Sequence, residues 1–309
     1  NNFNLKNLKV FKLNSNSGPS KARNVGIQNA KGEYVYFMDA DDTIENDTLS
    51  LLYTQSQKKK CDIIFSDKKR IEKTVNQREN IFAFEHDKYF EDHEINQEML
   101  KRLQNPLYLT GLLDLTGRLI KRSIITKNNI FFREELRYME DETFIWDLLP
   151  YVKNAFYIKK QLYSYNINPN VNTALSESLL RGFPLSNFLI IKNHIKMSLK
   201  KRNYLKNDFT KLADQAYIFF VISSLISFYR SIILGKINKT KANKQFSKFT
   251  NEIISNKEIS RSIKNYSISK NESFLIPLSI RFKLNFLLKI SVKLRVLNIL
   301  KKRKKLLIK

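Results

Sequence analysis

Cysteine is almost missing from this chain of 309 residues: Cys61 stands alone, so no internal disulfide can form and a stapled secreted scaffold is excluded. A reducing compartment is favoured. Glycine, with 7 residues, and proline, with 6, are too scarce for a collagen-like or linker-dominated architecture. No amino-terminal stretch has the basic, apolar and small-residue order of a signal peptide, so nothing argues for export. Core material, by contrast, is ample. Hydrophobic residues make up 42%, with 22 Phe and 14 Tyr, which excludes general disorder.

Acidic residues are also few: 29 Asp and Glu face 55 Lys and Arg, a formal charge of +26. The excess is concentrated at the end, where residues 236–309 hold 20 basic and 3 acidic residues. A basic tail seeks a polyanion, either nucleic acid or the anionic face of a membrane. Residues 276–308 mix basic residues with Leu, Ile, Phe and Val and carry no acidic residue, which reads as a basic amphipathic helix lying in a membrane interface. The basic run Lys301 to Lys305 sits in no recognised nucleic-acid fold, so no nucleic-acid partner is expected. Residues 217–234 are nearly apolar and close to spanning length. Ser223, Ser224, Ser227 and Arg230 favour a buried bundle helix there instead.

Over the first 70 residues strands and helices alternate. Residues 8–13 read as a strand, Ser20 as the cap of a helix closed by Gly32, and 34–38 as a buried strand. Asn46 or Asp47 then caps a helix to Lys59, and 61–65 is another buried strand. Strands separated by about a dozen helical residues imply parallel pairing, hence an α/β fold with a mostly parallel sheet. Residues 80–105 look polar and irregular. A helix begins near Asp141, and short strands are expected at 155–158 and 162–165. After Pro169 the pattern is helical, which divides the chain into 1–170 and a helical, basic, membrane-associated 171–309.

Asp39, Asp41 and Asp42 crowd the carboxyl end of the 34–38 strand, where ligands bind in open parallel sheets. Three carboxylates there raise one another's pKa unless a cation neutralises them, and oxygen-only ligands suit Mg²⁺ or Mn²⁺ bridged to phosphates. Upstream, the helix start at Ser20, with Lys21 and Arg23, suits an anionic group. Taken alone, the aspartates equally describe a solvated turn.

From Gly18 the chain reads Gly18-Pro-Ser-Lys-Ala-Arg-Asn24-Val-Gly26, then Ala30-Lys-Gly32-Glu-Tyr, an apolar strand and Asp39-Ala-Asp41-Asp42. This segment resembles glycosyltransferase family 2, whose members have the GT-A fold. The resemblance implies a UDP-sugar donor, with Asp39 near the nucleotide sugar and Asp41, together with Asp39, holding Mn²⁺ or Mg²⁺ against its diphosphate. Gly18, Lys21 and Arg23 join Asp39 as donor-binding candidates. A second stretch, Leu115-Thr-Gly117-Arg-Leu-Ile-Lys121 followed by Glu140-Asp141-Glu142, resembles the family's acceptor-side segment. It implies Asp141 as catalytic base and Glu140 as a shaper of the acceptor site. A carboxylate within hydrogen-bond reach of a sugar hydroxyl accepts its proton as the new bond forms. The same three acids are also good first-turn residues for a helix. Tyr163 and Tyr165 resemble a family strand bordering the site, and Trp146 is read as a core residue. His86 and His93 are read as part of a solvated acidic loop.

The resemblance implies an inverting transferase acting on a glycan or lipid-linked glycan in bacterial capsule or lipopolysaccharide synthesis, peripheral on the inner face of the cytoplasmic membrane. Family members place further strands before Leu8, so the sheet is expected to be incomplete at its amino end and this stretch inactive by itself. The alternative is a remnant without activity that serves as a membrane or polyanion adaptor.

Overall fold

Successive residues of the central strands point into two different apolar layers. Ile63, Phe65, Ile120, Ala155 and Tyr157 enter one core, while Ile64, Leu119, Phe156 and Ile158 enter the other beneath Leu52. That period of two, with β-branched and aromatic residues on both faces, is what a sheet covered on both sides requires. The computed structural model describes residues 8–72, 75–80, 84–104, 111–136, 138–167, 185–202, 209–235, 239–268 and 272–306.

In chain order the elements are α1 (Gly18–Asn29), β1 (Tyr34–Tyr36), β2 (Thr43–Ile44), α2 (Thr48–Lys59), β3 (Ile63–Glu72), β4 (Val75–Asn80), β5 (Lys88–Glu91) and α3 (Asp92–Gln104). Then follow β6 (Arg118–Lys121), α4 (Arg122–Lys127), α5 (Glu140–Leu148) and β7 (Asn154–Ile167). The helical region comprises α6 (Leu185–Lys201), α7 (Phe209–Ile233), α8 (Lys239–Ser255), α9 (Lys257–Ser262), α10 (Leu275–Arg281) and α11 (Asn285–Leu306).

The sheet order is β1-β6-β3-β7-β2, with β4 on β3 and β5 on β7. The expectation of a mostly parallel sheet is corrected. Among the described strands only β3 and β7 pair in parallel; the other pairings are antiparallel. Strands β1, β3 and β7 do share one direction, as the strand–helix alternation implies. What the alternation does not reveal is β6, which arrives from residue 118 and wedges between β1 and β3. Gly117 permits that entry: its φ is +75°, and a Cβ there would lie 2.9 Å from Lys68 Cε and 3.3 Å from Tyr163.

Local expectations meet mixed outcomes. Asp47 precedes α2 as expected, but α1 starts at Gly18 with Ser17, not Ser20, at its capping position and Pro19 in its first turn. Residues 8–13 form no strand; Leu8, Val10 and Phe11 are exposed and find no paired neighbour among the described residues. The stretch expected to be irregular at 80–105 contains β5 and α3. Helix α3 buries Ile95, Met99 and Leu103, spaced four apart, while charged residues fill its other faces. So sparse an apolar stripe gives little signal by composition. The expected strands at 155–158 and 162–165 are one strand, β7, bent by register shifts opposite Ser66 and Asp67.

Helix α7 is long and apolar enough to cross a membrane by length and composition, yet 56% of its most apolar window is buried. Helix α6 turns Phe188, Ile191, Ile195 and Leu199 toward the same core that covers one face of the sheet. Lys192 is nearly enclosed there and is held by Asp214 and by Glu258 at 2.6 Å. Arg202 clamps the end of the helical layer to the sheet layer, donating to the Leu149 carbonyl at 2.7 Å. The division expected near residue 170 lies outside the described residues.

Candidate active site

Two neighbours on α1 tie the two acidic segments together. Arg23 donates to Asp39 Oδ1 at 2.9 Å and to Glu140 Oε1 at 3.0 Å, so one guanidinium spans the β1–β2 turn and the start of α5. Burial opposes its charge, but Asp39 and Glu140 outweigh burial and raise its pKa. Asn24, buried beside it, pins α1 to the chain leading into α5. Its Nδ2 donates to the Phe132 carbonyl at 2.9 Å, and its Oδ1 accepts from the Phe132 N–H at 2.8 Å. Behind the site, Phe132 and Phe144 stack at 4.1 Å while Phe37 meets them edge-on at 5.4 and 5.7 Å. Phe37 lies two residues before Asp39, and Phe144 three after Asp141. The aromatic trio therefore fixes the spacing of the two carboxylates.

The β1–β2 turn uses its three aspartates differently. Asp39 lines the cleft with its side chain 40% exposed. Asp41 is exposed, and its main-chain carbonyl accepts from Asn166 Nδ2 at 2.8 Å. Asp42 is buried and accepts from the Tyr163 hydroxyl and from the Asn166 N–H at 2.9 Å, locking the turn onto β7. On the other side Met139 adopts a left-handed conformation, φ 63°, immediately before α5. A non-glycine residue held there costs on the order of 1 kcal/mol or more, and such outliers gather at functional sites.

Asp39, Arg23, Glu140, Asp141 and Tyr165 line a cleft of about 740 Å³. Arg23, Asp39, Asp141 and Tyr165 also border a deeper recess of about 300 Å³, floored by Lys68, Asp114 and Thr116. Lys68 donates to Asp114 at 2.7 Å and to Thr116 Oγ1 at 2.5 Å. Burial holds the Lys68 pKa below its ordinary value, whereas at Asp114 the attraction of Lys68 and Arg118 overcomes burial and lowers the carboxyl. The Asp141 carboxyl still opens onto the cleft. Protein packed around the cleft strips water from it, Glu140 and Glu142 add like charge, and its pKa is pushed up to about 7. Its Oδ1 accepts from the Glu142 N–H at 2.8 Å, which opposes the rise.

Of the residues singled out in the sequence, Asp39, Arg23, Glu140 and Asp141 come together here. Lys21 pairs instead with Glu134 at 3.2 Å, and Gly18 opens α1 with φ +81°; neither lines the cleft. Trp146 is fully buried, its Nε1 donating to Glu142 at 3.2 Å. His86 is exposed, and His93 lies at the start of α3.

The model of glycosyl transferase family 2 matches residues 2–128. The chain is similar to glycosyltransferase family 2 over that segment, about two-fifths of its length. A Haemophilus influenzae uncharacterized glycosyltransferase is 48% identical over 44 residues, 14% of this chain and 18% of that protein. The Staphylococcus aureus poly(ribitol-phosphate) β-N-acetylglucosaminyltransferase TarS is 54% identical over 44 residues, 14% of this chain and 8% of TarS. The Streptococcus pneumoniae glycosyltransferase GlyG is 33% identical over 60 residues, 19% of this chain and 20% of GlyG. Each match thus spans a fifth or less of the relative. In three dimensions, TarS 1–349 in complex with UDP-GlcNAc superposes with a TM-score of 0.58 at 18% identity, covering 93% of this chain and 74% of that one. The fold is therefore like that of TarS 1–349, a mixed sheet flanked by helices.

Against that family background, sequence reasoning missed Lys68, Asp114 and the serines of α7. Ser223, Ser224 and Ser227 line the cleft, so the helical region forms one of its walls. Their signal was present as polar breaks in an apolar run, three and four residues apart, which places them on one helix face. Among the described residues no group of three or more His, Cys, Asp or Glu is arranged to hold a metal ion. Asp39 and the exposed Asp41 together offer at most two carboxylates. That set fits Mg²⁺ or Mn²⁺ only when donor phosphates and water complete the coordination.

Proposed function

We propose that the whole protein transfers a sugar from a UDP-sugar to a hydroxyl of a glycan acceptor, with inversion, in bacterial surface polysaccharide synthesis. One observation carries the reading: Asp39, from the family's donor-side motif, and Asp141, from its acceptor-side segment, line one recess with Arg23 between them. Asp141 takes the proton of the acceptor hydroxyl. The freed oxygen attacks the anomeric carbon as the bond to the diphosphate breaks, and UDP leaves with that electron pair. A base with pKa near 7 is ionised enough to accept a proton at neutral pH yet basic enough to hold it. Glu140, fixed by Arg23, shapes the acceptor side. Asp39 and Asp41 would hold a divalent cation that neutralises the departing diphosphate. That TarS was crystallised with UDP-GlcNAc supports a UDP-sugar as donor.

The carboxyl-terminal helices suit an anionic membrane surface, here placed at the inner face of the cytoplasmic membrane. Phe274, Phe282 and Phe286 are exposed at 61%, 62% and 79%, and Arg281, Lys283 and Lys289 lie among them. Apolar anchors ringed by cations bind anionic interfaces. The test is a panel of UDP-sugars with UDP release as readout, using the full-length protein beside phosphatidylglycerol vesicles. Turnover of one member and salt-sensitive sedimentation with the vesicles are expected. No UDP release from any member would remove the enzymatic reading, and no sedimentation would remove the membrane one.

A further inference from the structure

Tyr163 is fully buried, yet its side chain meets both the β1–β2 turn and the floor of the recess. Toward the turn, its hydroxyl donates to Asp42 Oδ2 at 2.5 Å and accepts from the Asp39 N–H at 3.4 Å. Toward the floor, Thr116 lies within side-chain hydrogen-bonding reach of it, and the Lys68 ammonium sits 4.9 Å from the centre of its ring. The sheet fixes this meeting point: Tyr163 stands opposite Lys68 on β3 and opposite Ile44 on β2. The turn needs such a tether. Asp39, Asp41 and Asp42 lie within four residues of one another, and like charges so close repel. Burial and the charges of Asp41 and Asp39 raise the Asp42 pKa, while the Tyr163 hydroxyl and the Asn166 N–H oppose the rise.

We infer that Tyr163, given the glycosyl-transfer reading on which this rests, is a positioning residue for the donor. Its hydroxyl holds the Asp39 main chain in register with the Lys68–Asp114 floor, and its burial keeps it from touching the ligand. A hydroxyl donating to a carboxylate at 2.5 Å belongs to the strong, charge-assisted class. That bond fixes Asp42, and through it the turn that carries Asp39 and Asp41. Arg23 does not duplicate the constraint. It grips the Asp39 carboxylate, which can still rotate about its side-chain bonds, whereas Tyr163 grips the main chain beneath it. Arg23 thus ties the donor side to α5, and Tyr163 ties it to β3 and β7. A donor diphosphate needs both carboxylates of the turn at fixed distances, so slack in the main chain costs affinity before it costs folding.

Tyr163→Phe removes the hydroxyl and keeps the ring. The probe is UDP, titrated calorimetrically into the full-length protein in buffer containing MnCl₂. The variant is expected to bind UDP about tenfold more weakly, the scale of one hydrogen bond to a charged group. Its rising pH–rate limb near 7 should stay in place, because Asp141 belongs to α5. Tyr266→Phe is the control. It deletes another buried hydroxyl that donates to a carboxylate, Glu272 at 2.8 Å, and it lines neither the cleft nor the recess. It should melt lower and bind UDP as the parent does. Adding Asp42→Asn to Tyr163→Phe should weaken UDP little further, since both act on one bond. Asn166→Ala releases the Asp41 carbonyl from the solvent side and should weaken UDP about threefold, whether or not Tyr163→Phe folds. Parent-like UDP binding by Tyr163→Phe, an equal loss in Tyr266→Phe, or a pH limb that moves with the affinity would overturn the assignment. So would an unfolded Tyr163→Phe together with unchanged binding in Asn166→Ala. A parent protein that binds no UDP removes the donor reading as a whole, whereas a parent that binds it no better than Tyr163→Phe removes this assignment alone.

Discussion

Asp141→Asn is expected to lower the transfer rate by about 10²–10⁴-fold, the range that a positioned general base supplies, while UDP binding persists because the donor side is intact. The pH behaviour distinguishes this account from simple damage. The Asp141 carboxyl, ordinarily at 3.8, is raised to about 7 in the fold. Activity of the parent protein should therefore climb with pH and level off above about 7, as the base ionises. Stability runs the other way. Between 3.8 and about 7 the folded state binds more protons than the unfolded chain. The stability associated with the protonated carboxyl is thus complete below 3.8 and is lost as pH rises through about 7. An asparagine there cannot ionise, so Asp141→Asn should melt higher than the parent at pH 8, by more than at pH 5. Thermal melts at the two pH values check this. A variant less stable than the parent at both would mean that Asp141 is mainly a structural cap of α5.

Arg23→Ala carries the second large effect. Its guanidinium is 18% exposed and joins Asp39 to Glu140, so its loss leaves two carboxylates unpaired and unties the β1–β2 turn from α5. Transfer at neutral pH is expected to fall roughly hundredfold, the scale of a misplacement near 1 Å. The cation also offsets the negative charge around Asp141, so the rising limb of the pH–rate profile should move to higher pH. Arg23→Lys keeps the charge but not the planar fork, and should recover the pH profile better than the rate. A variant with the parent's rate and profile would show that the bridge is dispensable. The two substitutions act on one network, so their effects should combine less than additively.

How much of this could be read from the residues alone depends on the range of the interaction. The start of α2, the buried strands and the start of α5 follow from local chemistry, and Asp47, Ile63–Phe65 and Glu140–Glu142 appear where the patterning puts them, whereas the cap expected at Ser20 falls inside α1. The family motif located Arg23, Asp39, Glu140 and Asp141, which the fold brings together from positions more than a hundred residues apart. Strand order was not legible. Nothing near 118–121 says that this short strand inserts between β1 and β3, because that choice is made by distant partners. The same holds for Lys68, whose partner Asp114 is 46 residues away. Helix α3 was hidden by its charged faces, and the serines of α7 looked like breaks in a buried helix until the cleft beside them was visible. Asn24 belonged to the motif, yet its task, two hydrogen bonds to the backbone of Phe132, is purely a matter of tertiary contact.

A crystal structure of the full-length protein with a bound UDP-sugar that it turns over tests the central claim most directly. The account predicts the diphosphate beside Asp39 and the anomeric carbon turned toward Asp141, inside the recess that Lys68 and Asp114 floor. A donor bound on another face, or an anomeric carbon pointing away from Asp141, would contradict it.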